Sequence, residues 1–99
     1  MIGKITVDTF RPFVGMSFTT ETPHGKLSFT LDETIYNERY NAGPYHCFTL
    51  IFSGPGNVFF PQGNYIFRQE SLGEVPMFLI PIGKTETGFR YQVVYSVEK

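Results

Sequence analysis

The sequence predicts an all-β fold, a six-stranded antiparallel meander closed as a small barrel or folded as a sandwich. Three observations predict it. Large apolar residues recur at every second position: Phe48, Leu50 and Phe52 share one parity, then Tyr65 and Phe67, then Phe89, Tyr91, Val93, Tyr95 and Val97. Period two puts each set on one face of a strand and commits it to a β core. These runs are interrupted by turn formers, among them Ser53-Gly54-Pro55-Gly56-Asn57 and Pro61-Gln62-Gly63. Finally, 99 residues carry 17% aromatics with ten Gly and seven Pro, a composition suited to short strands and tight turns. A chain of this length makes one domain, taken here as residues 1–99.

The elements follow in order. Residues 5–14 read as a short helical turn, with Thr6 or Asp8 as cap and Pro12 limiting its extension. Phe10, Phe13 and Val14 fall at i, i+3 and i+4, so this turn should plug one end of the core. Gly15 ends it. Strand one is expected over Met16–Thr22, with Met16 and Phe18 in phase, and strand two over Lys26–Glu33 with Leu27, Phe29 and Leu31 inward, joined by Pro23-His24-Gly25. Residues 34–44 are the longest irregular stretch. Strand three covers Tyr45–Phe52. A Gly- and Pro-containing connector runs to Phe59-Phe60, where one ring should pack inward with Tyr65 and the other stand exposed.

Pro61-Gln62-Gly63 suits a type I turn with the glycine left-handed. Strand four follows over Asn64–Glu70 and strand five over Glu74–Ile82. Pro76 and Pro81 cannot donate to a ladder, so strand five should lie at an edge or carry bulges there. Strand six is Phe89–Val97. The expected core is Phe18, Phe29, Leu31, Phe48, Leu50, Phe52, Tyr65, Phe67, Leu79, Tyr91 and Val93.

Charge and cysteine content exclude several functions. Eight Lys and Arg stand against nine Asp and Glu, scattered singly, so no basic stripe meets a phosphate backbone or an anionic membrane. Cys47 is the single cysteine, which rules out an intrachain disulfide. No 18-residue apolar run and no signal-peptide pattern occurs, so a soluble, unprocessed, cytoplasmic chain is expected.

Candidate chemistry is sparse. His24, His46 and Cys47 are the soft-ligand candidates, but adjacent strand residues point to opposite faces and a metal needs three or four converging ligands. Neither a metal nor any other cofactor is expected. No Gly-X-Ser-X-Gly elbow occurs, and Cys47 reads as a small buried hydrophobe in a strand. The acidic residues Asp32, Glu33, Glu38, Glu70 and Glu74 fall in turns or at strand ends, where carboxylates are solvated. The glycines of 54–57 lack the Lys-Ser/Thr ending and the helix of a phosphate loop.

The better candidate is a binding surface. Tyr36, Arg39 and Tyr40 lie in the long connector, Tyr45 follows it, and Phe59 sits near the tip of the next loop; such residues are enriched at binding hot spots. Strand one has no proline until its end and Glu21 as its sole charge, so it reads as an edge open to pairing. The expected activity is therefore that of a non-enzymatic binding or assembly module. It would self-associate or dock a protein partner along strand one or against the Tyr36–Tyr45 loop. Two other readings are a small barrel that binds an apolar ligand or glycan, and a hydrolase with unrecognised residues.

Two blocks carry a family resemblance. Phe48-Thr49-Leu50-Ile51-Phe52-Ser53-Gly54-Pro55, Phe60-Pro61-Gln62-Gly63-Asn64-Tyr65, Leu72-Gly73 and Met77-Phe78-Leu79-Ile80-Pro81-Ile82-Gly83 form one, ending near Arg90-Tyr91. Asp8-Thr9-Phe10-Arg11-Pro12-Phe13-Val14-Gly15 forms the other. Together they resemble a family of small bacterial proteins known as a domain of unknown function. The chain departs from it at Phe60, where Leu is more usual, and at Gln69-Glu70, where His-Pro is. The matched residues are turn formers and core apolars, so the resemblance implies an architecture and no catalytic residue. It also implies a phage-tail-like, virion-associated setting.

Overall fold

Alternation is what builds the sheet. The computed structural model describes residues 5–23, 25–37, 43–56 and 58–98. The strands are β1 (Ser17–Thr22), β2 (Gly25–Tyr36), β3 (Tyr45–Ser53), β4 (Gly63–Gln69), β5 (Gly73–Thr85) and β6 (Gly88–Glu98). All pairs are antiparallel, and the order β1-β2-β3-β6-β5-β4 closes into a barrel. This order departs from a single meander. β1–β2–β3 and β4–β5–β6 are each consecutive, but β3 joins β6 and β4 returns to β1. Which strand neighbours which across the 53–62 connector is a long-range choice that alternation within a strand does not encode.

Ten of the eleven expected core residues are fully buried, and Tyr65 is half-buried against them. Phe18, Phe52 and Phe67 occupy the middle, with Phe52 edge-on to Phe18 at 5.4 Å and stacked on Phe67 at 5.9 Å. Each end has its own plug. A helical turn, α1 (Val7–Phe10), starts at the N-cap Thr6, whose N–H donates to Thr9 Oγ1 at 3.0 Å. It delivers Phe10 against Phe48 and Tyr95, at 6.0 and 5.7 Å. At the other end Phe60 meets Phe29 at 4.8 Å and Tyr65 at 5.5 Å, and its N–H donates to Tyr91 Oη at 2.9 Å. Its neighbour Phe59 is 53% exposed.

Several expectations are corrected. β2 continues to Tyr36, so the irregular stretch begins three residues later than expected. A bulge between Leu31 and Glu33 shifts the parity and brings Thr34 and Tyr36 onto the inward face. Met16 and Val14 are exposed rather than in the core, because the single 3₁₀ turn Arg11–Phe13 ends the plug at the half-buried Phe13. Gly63 sits inside β4 without a positive φ. Cys47 lies half-buried on the outer face, with Sγ 3.6 Å from Ser96 Oγ. His24 lies outside the described residues.

The prolines of β5 act as expected. A register shift between Pro81 and Gly83 bulges the strand, and β5 pairs with β6 only from Ile80 onward. Pro76, opposite Ile66 of β4, therefore faces a stretch of β6 with which it shares no ladder. Its carbonyl instead accepts the Tyr95 hydroxyl at 2.9 Å.

Candidate functional site

The structure separates the expected binding residues. Tyr36 is half-buried at the α1 end, its hydroxyl 3.2 Å from His46 Nδ1, and Tyr45 is 46% exposed where β3 begins opposite Glu98. Phe59 lies at the far end of the same ladder, edge-on to Phe89 at 5.2 Å. Arg39 and Tyr40 lie outside the described residues. Tyr36 and His46, with Thr6, Asp8 and Arg11, rim a depression of about 320 Å³. The Asp8–Arg11 ion pair there, at 2.5 Å, is solvent-exposed and engages the one guanidinium of that rim among the described residues.

Polar side chains elsewhere are occupied with one another. Ser53 donates to Asp32 at the β2 bulge, and Arg90 Nε approaches the same carboxylate at 4.0 Å. Among the described residues no group of three or more His, Cys, Asp or Glu could hold a metal ion. Burial raises the Tyr95 hydroxyl well above its usual pKa, and desolvation pushes Tyr65 and Tyr91 the same way. These three hydroxyls serve the fold as hydrogen-bond partners: Tyr65 donates to Pro61 O at 2.7 Å, Tyr95 donates to Pro76 O, and Tyr91 Oη accepts the Phe60 N–H.

The most open part of the barrel wall is the joint between β1 and β4. Its ladder consists of Thr19↔Arg68 and Thr20↔Phe67. Two hydroxyls extend it: Thr20 Oγ1 donates to Ile66 O at 2.8 Å and Thr19 Oγ1 to Arg68 O at 3.4 Å. On the outside, two depressions of about 430 Å³ each follow this joint and meet at Thr19 and Arg68. One runs towards Met16 and Glu70, the other towards Lys26, Asn64 and Ile66. Arg68 is held by Glu74 of β5 at 2.7 Å. Parity in β4 already placed Ile66 and Arg68 outward, opposite to Tyr65 and Phe67. What the sequence could not supply was that β4 is the neighbour of β1.

A family model described as a domain of unknown function (DUF6916) matches residues 5–95. The chain belongs to this family. No curated protein and no solved structure matches the chain. The matched span covers all six strands up to Tyr95, together with both end plugs. No helix among the described residues is long and apolar enough to cross a membrane.

Proposed function

We propose that this family member is a non-enzymatic binding or assembly module that recognises another protein on the outside of its barrel. The observation that carries the reading is how the interior is used. Phe10, Phe18, Phe29, Phe48, Phe52, Phe67 and Tyr91 are wholly buried and pack ring against ring from one plug to the other. Side chains occupy the space that a ligand-binding barrel reserves for its ligand. Recognition is left to the outer surface, where Ile66, Phe78, Val94 and Phe59 are each more than two-fifths exposed. A net charge of -1 gives little long-range repulsion against a protein surface. A virion-associated assembly is the setting the family resemblance suggests for such a module.

Light scattering at several concentrations, alone and mixed with the proteins encoded beside its gene, tests the reading. A stoichiometric complex or a concentration-dependent oligomer is expected. Turnover of a generic ester or glycoside, abolished by one substitution such as Asp32→Asn, would overturn it.

A further inference from the structure

We propose that the outer face of β2, β3, β6 and β5 pairs with the same face of a second copy of this chain, in a weak two-fold dimer. This rests on the binding-module reading above and names its partner. Ladder register sets the residues of the face side by side. Ile35 lies opposite Thr49 and Thr49 opposite Val94, while in the next row Ile51 lies opposite Gln92 and Gln92 opposite Ile80. Their in-strand neighbours, among them Leu50, Val93 and Leu79, belong to the interior cluster, so all six point outward. Val94 is 49% and Ile35 37% exposed, and Phe78, two residues from Ile80 on the same face, is 42% exposed. Ile51 is 7% exposed yet stands outside the interior cluster, so its neighbours already form a small apolar patch around it on the outside of the barrel.

The placement of charge selects the occupant. Near a two-fold axis each residue meets its own image or a close neighbour of it, so a charge there is brought against a like charge. On this face the charges stand at the margins: Glu33 on β2, and Arg90, beside Asp32, and Glu98 at the two ends of the β3–β6 ladder. A foreign partner imposes no such arrangement, because it can set an opposite charge against each one. The far side of the barrel is the contrast, since Glu21, Lys26, Arg68 and Glu74 line the β1–β4 groove. A net charge of -1 adds little repulsion between whole copies.

The size of the face sets the strength. The nine residues of β3 run ~30 Å and three interstrand spacings add ~14 Å, so a copy offers at most about 400 Å². About 800 Å² for the pair lies below the ~1,200 Å² at which stable complexes begin, in the range of transient encounters. The dissociation constant is therefore expected on the order of 100 μM.

The test is sedimentation velocity and amide NMR on the intact chain from about 10 μM to about 1 mM, a range that brackets the expected constant. The mass should rise towards that of a dimer. Amide resonances of β3 and β6 should shift with concentration while those of β1 and β4 stay fixed. Val94→Lys should weaken pairing about 100-fold or more, because a two-fold pair carries each change twice. Met16→Lys, a similarly exposed residue beside the β1–β4 groove, should leave it unchanged. Should Val94→Lys lower the melting temperature sharply, Ile35→Lys serves the same comparison. Added salt should not weaken the pair, since no ion pair holds its centre. Association that survives both β2 and β6 lysine variants, or concentration-dependent shifts confined to β1 and β4, would overturn the face. A monomer at every concentration would overturn the second copy, and light scattering of mixtures with the neighbouring genes' products would then decide the module reading separately. A complex with one of those products, lost on Val94→Lys in a chain that is monomeric by itself, would put a foreign protein on this face and overturn the assignment made here.

Discussion

Nine consecutive residue pairs join β3 to β6, from Tyr45↔Glu98 to Ser53↔Arg90, whereas two join β1 to β4. A third joint, between β5 and β6, is strong only from Ile80 onward. The two incomplete joints are closed by different chemistry. Between β5 and β6 an aromatic side chain fills the opening from inside: Tyr95 stacks on Phe10 and donates to Pro76 O. Between β1 and β4 the closure is two threonine hydroxyls, and a groove runs over them outside. Apolar burial makes the first joint part of the core, whereas the hydroxyl-closed joint lies beneath an external groove.

The largest expected effect breaks the strong side. Phe52→Ala removes a wholly buried ring from the middle of the barrel and should cost about 3–5 kcal/mol by chemical denaturation. A loss under about 1 kcal/mol would mean that the interior can collapse around the gap.

Tyr95→Phe separates the two incomplete joints. Losing the bond to Pro76 O should cost about 1 kcal/mol with the ring packing kept. The same variant has a pH signature. Burial raises the folded-state pKa of Tyr95 above its ordinary 10.0. The folded chain therefore binds that proton more tightly than the unfolded chain does, and stability from this group is intact below pH 10 and lost as pH rises above it. Denaturation measured between pH 9 and 12 should show a steeper decline for the parent chain than for Tyr95→Phe (the range brackets the ordinary tyrosine value). Tyr65 and Tyr91 add a decline of the same sign in both.

Thr20→Val keeps the shape of a buried side chain and deletes the hydroxyl bonded to Ile66 O. About 0.5–1.5 kcal/mol should be lost, with faster amide exchange confined to β1 and β4. Arg68→Ala removes an ion pair whose side chains are both more than half exposed. Its effect on stability should stay below about 0.5 kcal/mol, which makes it a clean variant for binding studies.

The fold was legible where one strand suffices to read it. Alternation found the inward rings, proline chemistry found the bulge near Pro81 and the ladder-free edge at Pro76, and the Phe59-Phe60 pair divided as expected into one exposed and one buried ring. The parity change at the Leu31/Glu33 bulge was not legible, because an extra residue in a strand leaves local propensity unchanged. Nor was the pairing of β1 with β4, which depends on how the 53–62 connector crosses the barrel. Gly56 marks that crossing, since an added Cβ would collide with the Thr87 carbonyl. The same dependence explains the site. Tyr36, Tyr45 and Phe59 were chosen by residue type and connector length, and the barrel places them at opposite ends. The groove is assembled from Thr19, Ile66 and Arg68, unremarkable in sequence until β1 and β4 become neighbours.

Native-state hydrogen exchange tests the central claim, that the β3–β6 joint of the barrel is strong and the β1–β4 joint open, most directly. Amides in the β3–β6 ladder, Phe48 to Phe52 and Tyr91 to Tyr95, should exchange only through global unfolding. Those of Glu21, Asn64 and Ile66 should exchange about 100-fold faster or more, through local opening of the β1–β4 joint. Equal protection on both sides of the barrel would contradict the account.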